Sequence, residues 1–295
     1  MRPNKVKRQL QSGQPSIGTW LSLGSPLAAE QLTQAGFDWL NIEQEHAAVD
    51  ATLTQSMLQA ISLGDTVPMV RVPWNSGDWI KRALDAGAYG VVIPMVNSRA
   101  EAEQAVKACK YPPQGFRSVG GVRPRLYGGH DYIERANEEI VVIVQIEHAE
   151  AVKNAREILS VPGIDAYFVG PNDLCMSLGL PPSLEPDVPQ FWEALDRVRE
   201  AAAATGVAPG IHVATAERAC RMLEAGYQFL SIASDAAFMA TAASGAVAQI
   251  RERAPTPPVG LRDASVVARQ GYRRSGVPKA DDQRTIDNRR LTIDD

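Results

Sequence analysis

Residues 67–95 read VPMVRVPWNSGDWIKRALDAGAYGVVIPM, and this stretch holds one complete copy of the unit from which the chain is built. Two short apolar runs, Val67–Val72 and Gly90–Pro94, are rich in β-branched residues and predict strands. Neither alternates cleanly between apolar and polar residues, as expected of strands buried on both faces. The segment between them predicts a helix that stops at Ala86-Gly87, where glycine can take the left-handed conformation that closes a helix. The order is strand, helix, Ala-Gly, strand, the pattern of parallel strands joined by crossover helices.

The unit recurs on both sides. Ala35-Gly36 and Ala225-Gly226 also sit just before apolar runs, while Ser25-Pro26 and the Ser98/Glu101 capping box mark helix starts. Strands are predicted at Ser16–Trp20, Phe37–Ile42, Val67–Val72, Gly90–Pro94, Ile140–Gln145, Ala166–Val169, Ala208–Ile211 and Phe229–Ile232. Eight β-then-α units predict an α/β fold, a (β/α)8 TIM barrel. An open doubly wound sheet is the alternative, although no GxGxxG follows the first strand. Residues 1–15 read as an N-terminal segment, 16–252 as a single barrel domain, and 253–295 as an extended or interface-forming tail. That tail is polar and charged, with Leu261, Val266, Val267 and Tyr272 as sparse anchors.

Composition narrows the function. The 295 residues carry a net charge of −4 and no basic, aromatic-interleaved stripe, which disfavours nucleic acid as a partner. No apolar run reaches the roughly 18 residues of a membrane span, and Met1–Gly13 has a basic start without the apolar middle of a signal peptide, so a cytoplasmic protein is expected. Cys109, Cys175 and Cys220 show no CxxC or Cys/His metal spacing and read as reduced bystanders.

In a barrel, residues just past the C-terminal strand ends share one mouth. Trp20, Glu43, Glu45, His46, Arg71, Glu147, His148 and Gly170–Asp173 all fall there. Glu147 and Asp173 lie one βα unit apart, and two neighbouring carboxylates in an open mouth suit Mg²⁺, with Mn²⁺ as a second choice. The competing reading makes each acid a helix cap. Arg71 closes an apolar strand, where it either faces an anion such as an enolate oxygen or pairs with Glu43 or Glu45. His46 is a candidate base or a structural loop residue. Gly170-Pro171-Asn172-Asp173-Leu174 is a turn whose N–H groups can cradle a carboxylate. Position alone makes Asp85 a surface residue near a helix end.

Taken in order, SPLAAE (25–30), GFDWLNIEQEH (36–46), VRVP (70–73), LDAGAYG (84–90), VVIPM (91–95), YPPQGFR (111–117), QIE (145–147) and GPNDL (170–174) resemble the HpcH/HpaI family of class II pyruvate aldolases, from Ile17 to Ile250. The resemblance implies a divalent metal on Glu147 and Asp173, Mg²⁺ ahead of Mn²⁺ or Co²⁺, and Arg71 stabilising an enolate. It also implies a His46–Asp85 base dyad, with Trp20 lining an aldehyde pocket. Substrate contacts at Gln145, Gly170, Pro171 and Asn172 follow, as does a homohexamer. Glu43-Gln44 and His148 depart from the family's usual text, and SPLAAE with DWIKRALDAGA also resembles its macrophomate synthase branch.

The expected reaction is reversible aldol cleavage of a 4-hydroxy-2-oxo acid to pyruvate and an aldehyde through an enolate held on the metal. Oxaloacetate decarboxylation with enolate capture shares every residue up to the enolate. A non-catalytic metabolite-binding module is the third reading, disfavoured by the intact Glu147, Asp173 and Arg71. None of the strand-end candidates is a lysine, which disfavours a Schiff base.

Overall fold

The structure, a computed structural model, describes residues 1–254. Its strands are β1 (Ser16–Leu21), β2 (Trp39–Glu43), β3 (Val67–Arg71), β4 (Gly90–Ile93), β5 (Val141–Gln145), β6 (Ala166–Phe168), β7 (Gly210–Val213) and β8 (Phe229–Ser234). All ladders are parallel, in the order β6-β5-β4-β3-β2-β1-β8-β7. The two ends of that series meet through bridges Ala166↔Ala208 and Val169↔Ile211, with the Val169 N–H donating to Gly210 O at 3.0 Å. Closure of this kind makes a (β/α)8 barrel and rules out the open sheet.

The helix signals act as expected. Ser25 Oγ accepts from the Ala28 N–H, and Ser98 with Glu101 forms a complete capping box. Gly36, Gly87 and Gly226 carry φ of 86°, 105° and 90° at the ends of their helices. Each strand differs from its expected limits by one or two residues at one or both ends, and the differences in β2 and β7 bear on the site. β2 begins at Trp39 because the Asp38 carboxylate takes the Ile17 N–H at 2.9 Å, and it runs on to Glu43 because that side chain is paired with Arg71 opposite it. β7 starts at Gly210 and includes His212.

Aromatic side chains fill the barrel below the mouth. Trp39 stacks on Phe229 with ring centroids 4.3 Å apart, and Phe168 meets both Phe229 and Trp20 edge-on. Trp39 lies across β1 at Gly18, where a Cβ would come within 2.1 Å of the indole, so only glycine fits there. This packing holds Trp20 at the base of the mouth.

Residues Met1–Ser244 form one compact unit. It includes the helix Lys5–Gln11, which buries Val6 and Leu10 and follows Asn4, whose amide donates to Tyr89 O and Glu139 O. A second unit, Gly245–Asp295, is described only through Ala254, and the last helix, Asp235–Arg253, ends there. The expected tail with its Leu261, Val266, Val267 and Tyr272 anchors lies outside the described residues. No described helix is long and apolar enough to cross a membrane.

Candidate active site

The strand ends enclose a cavity of about 930 Å³, lined by Trp20, Glu43, His46, Arg71, Gln145, Gly170, Pro171, Asn172 and Asp173 among others. All of these were expected at the mouth.

Glu147 follows β5 and is buried, with its carboxylate fixed at both oxygens. Oε1 accepts from the Met95 N–H at 2.9 Å and Oε2 from Gln145 Nε2 at 2.6 Å. Met95 aims that N–H from a left-handed backbone conformation, φ 53°, at the end of β4, an uncommon arrangement for a side chain of this size. Burial pushes the Glu147 carboxyl up to about 7, and the Glu45 and Asp173 carboxylates add to the rise, while the Met95 N–H and Arg71 oppose it.

Gly170 explains how the second carboxylate comes close. A Cβ there would sit 2.8 Å from Glu147 Oε2, 3.5 Å from Asp173 Oδ2 and 3.6 Å from Gln145 Nε2. Both acids thus face one small space that a methyl group would fill. Gly170 is also the N-cap of the helix Pro171–Ser177 and offers no side chain to its first-turn N–H groups.

Arg71 ends β3 and pairs with β2. Its Nη2 lies 2.5 Å from Glu43 Oε2, its Nη1 lies 3.3 Å from Glu45 Oε2, and its guanidinium sits 4.5 Å from the centroid of the Trp20 ring. The salt-bridge reading of Arg71 therefore holds, and the same contacts aim the guanidinium along the cavity wall. Glu43 also accepts the backbone N–H of Glu45 at 2.6 Å and of His46 at 3.0 Å, so it ties the strand-two loop together. Burial raises the Glu45 carboxyl, while Arg71 and His46 hold it down. Gln44 turns away and donates to Thr54 Oγ1.

His46 reaches the cavity with its side chain 65% exposed and Nε2 3.7 Å from Glu45 Oε2. The structure does not bring Asp85 to it. Asp85 ends the helix Gly77–Asp85 and pairs at 2.9 Å with Arg117, whose side chain is fully buried. His148 is not in the cavity lining; it caps the helix Ala149–Lys153, with Nδ1 accepting the Glu150 N–H.

Sequence reading missed a second polar group in the same cavity. His212 on β7 and Ser231 on β8 are register partners, and both meet the Trp20 indole N–H. A histidine inside the apolar run GIHV was the signal available.

The donor set fits a hard divalent cation. Two carboxylates, Glu43 and Glu45, hold the Arg71 guanidinium, and two more, Glu147 and Asp173, border the Gly170 space. Among the described residues no group of three or more His, Cys, Asp or Glu forms a closed metal cage. A two-carboxylate site of this kind leaves most coordination positions to water and substrate oxygens, as Mg²⁺ sites do.

A closed (β/α)8 barrel whose strand ends gather carboxylates and one arginine around a cavity has the architecture of a barrel enzyme. The chain belongs to the HpcH/HpaI aldolase/citrate lyase family, whose model matches residues 16–242. It is 39% identical over 254 residues to a 4-hydroxy-2-oxo-heptane-1,7-dioate aldolase of Escherichia coli (strain SE11), spanning 85% of this chain and 96% of the relative. It is 40% identical to a hydroxypyruvate/pyruvate aldolase of Rhizorhabdus wittichii, spanning 84% and 99%. A family structure from Burkholderia cenocepacia J2315 superimposes with a TM-score of 0.80 at 38% identity, over 84% of this chain and 99% of the other. Macrophomate synthase, at 24% identity and a TM-score of 0.75 over 85% and 91%, shares the fold.

Proposed function

We propose that this chain is a class II pyruvate aldolase, cleaving a 4-hydroxy-2-oxo acid reversibly to pyruvate and an aldehyde. The observation that carries the reading is the Gly170 space, bordered by Glu147 Oε2 and Asp173 Oδ2 in a cavity that also holds Arg71 and His46. Glu147 and Asp173 would hold a divalent cation, Mg²⁺ ahead of Mn²⁺ or Co²⁺. When bound, the cation supplies Lewis acidity to the 2-oxo acid.

The chain's own groups do the rest. N–H groups of Asn172 and Asp173, left uncapped by Gly170, suit the substrate carboxylate. His46 takes the proton from the C4 hydroxyl, the C3–C4 bond breaks to release the aldehyde, and the enolate gains a proton at C3 to give pyruvate. Arg71, held by Glu43 and Glu45, offsets the charge on the enolate oxygen. Trp20 and Phe168 form an apolar wall beside the reacting carbons. The paired Asp85 and Arg117 leave His46 as the base that the single chain provides.

We further infer a homohexamer, supported by exposed apolar side chains such as Val122 and Leu126 on the segment before β5; sedimentation tests it. The activity itself is tested by following pyruvate release from 4-hydroxy-2-oxo acids with Mg²⁺, with EDTA, and with metal restored. Turnover that EDTA abolishes and Mg²⁺ restores is expected. Full activity in a chelated sample, or a lysine adduct trapped by borohydride, would overturn the mechanism.

A further inference from the structure

His212 Nδ1 lies 2.6 Å from Ser231 Oγ, and the Trp20 indole N–H points at both, 2.8 Å from Oγ and 3.1 Å from Nδ1. An indole nitrogen can only donate. A proton on Nδ1 would therefore face the indole N–H directly, and the arrangement that satisfies all three groups has Ser231 donating to a bare Nδ1 while accepting from Trp20. The imidazole proton then resides on Nε2. Burial, reinforced by the Arg71 cation, lowers the ring's pKa to about 4, so the ring is neutral. Nε2 has no hydrogen-bond partner among the described residues, and His212 lines the cavity. The ring thus presents one neutral donor to the cavity.

Its surroundings define what that donor can meet. Phe168, Ala214, Ile232 and Phe238 line the cavity as apolar neighbours. Arg71 is the one Lys or Arg among the described lining residues, and its charge is engaged by Glu43 and Glu45. A carboxylate docked against His212 would lose water without gaining a counter-ion, whereas a hydroxyl or carbonyl oxygen would gain a hydrogen bond at little cost. A purely hydrocarbon group would leave the Nε2–H unpaired.

We infer that His212 is a specificity-determining residue: its Nε2–H binds an oxygen that a neutral acceptor carries beyond its aldehyde group, a hydroxyl or a second carbonyl, with Ser231 as the positioning residue that fixes the tautomer. The inference rests on the aldolase reading and selects, within it, against both carboxylate-ended and hydrocarbon acceptors.

The test uses the full chain with Mg²⁺ and pyruvate, comparing kcat/KM for glycolaldehyde, propanal and succinic semialdehyde. The wild type should favour glycolaldehyde. His212→Leu should lower kcat/KM for glycolaldehyde roughly tenfold while leaving propanal unchanged or faster, the scale of one lost hydrogen bond. ¹⁵N spectra of histidine-labelled protein, read without substrate, should show an Nε2–H tautomer at His212. Ser231→Ala should mix the tautomers, and Ser231→Thr should restore the single one. Exchange of pyruvate methyl protons in D₂O separates the two readings. If the wild type shows no metal-dependent exchange, the aldolase reading falls and takes this inference with it. If exchange is intact but His212→Leu slows both aldehydes equally, or the tautomer is Nδ1–H, this inference alone is overturned.

Discussion

Arg71 and Glu43 are register partners on β3 and β2, and both Nε and Nη2 of the guanidinium converge on Glu43 Oε2, at 2.6 and 2.5 Å. One carboxylate oxygen thus fixes the guanidinium plane, and the remaining Nη1, held more loosely by Glu45 at 3.3 Å, is the edge best able to follow charge in the cavity. Lysine cannot reproduce this fork. Arg71→Lys should keep the fold and lose roughly 10²-fold in kcat, the usual worth of one oxyanion donor. Glu43→Gln should cost less, roughly tenfold, because an amide oxygen in the Oε2 position still accepts both Arg71 bonds, without the charge, while the Glu45 and His46 N–H groups lose their acceptor. Steady-state kinetics with Tm as a control decide it, and near-normal kcat in Arg71→Lys would leave Arg71 a structural ion-pair residue.

Gly170 offers a cleaner probe of the proposed metal site than Glu147 or Asp173. Its backbone, φ −91° and ψ 99°, is open to any L-residue, so alanine introduces no strain. The added methyl would nonetheless stand 2.8 Å from Glu147 Oε2, inside the space the two carboxylates share. Gly170→Ala should therefore keep the Tm of the metal-free protein and raise the Kd for Mn²⁺ or Mg²⁺ at least roughly tenfold by calorimetry, the scale of one disturbed coordination or outer-shell contact. Unchanged metal affinity would place the cation elsewhere.

The barrel was legible in the sequence because its signals are local: apolar runs, Ser caps and Ala-Gly stops each act within a few residues. The strand-end acids were legible for the same reason, since Glu147 and Asp173 need only their own strand to be placed at the mouth. Glu43 was legible in part: a pair between Arg71 and Glu43 or Glu45 could be read from the strand ends, but that Glu43 stands directly opposite Arg71 depends on β2 running one residue further, a matter of inter-strand register. His212 and Ser231 escaped entirely, because their meeting depends on the β7–β8 ladder. Asp85 shows the converse, as its partner Arg117 comes from a distant loop that no periodicity predicts.

That Asp85–Arg117 pair has its own consequence. Arg117 is fully buried and holds Tyr132 Oη at 3.1 Å as well as Asp85. Removing the carboxylate strands a buried cation, a loss of about 3–5 kcal/mol for a fully buried pair and less here because Asp85 is 28% exposed. Asp85→Asn should lower stability in urea by about 1–3 kcal/mol. An unchanged midpoint would mean that the pair contributes nothing to the fold.

His212 should leave a mark on stability against pH. Its folded pKa is depressed from 6.5 to about 4, chiefly by burial. As pH falls through 6.5 the unfolded ring takes a proton that the folded ring refuses until about 4, so folding stability declines across that window and is fully present above it. The slope is about 1.4 kcal/mol per pH unit, on the order of 3 kcal/mol in all. Urea unfolding of wild type and His212→Leu from pH 7 to 4.5 cancels the other titrations. The wild type should lose more stability than the variant over this range; parallel curves would show the ring to be charged or exposed.

The last prediction separates making the enolate from handling the aldol hydroxyl. In the proposed mechanism Arg71 and the metal site serve the enolate, whereas His46, exposed to the cavity and 3.7 Å from Glu45, would exchange a proton with a bound hydroxyl. Oxaloacetate decarboxylation yields the same enolate by loss of CO₂, with no hydroxyl to deprotonate. His46→Ala should accordingly depress retro-aldol cleavage by roughly 10²-fold or more, the usual contribution of a general base, and leave decarboxylation within a few-fold of wild type. Both rates are measured on one preparation with its metal content verified. Equal losses would mean that His46 serves enolate formation or the loop that Glu43 ties down, and the division of labour between Arg71 and His46 would fall.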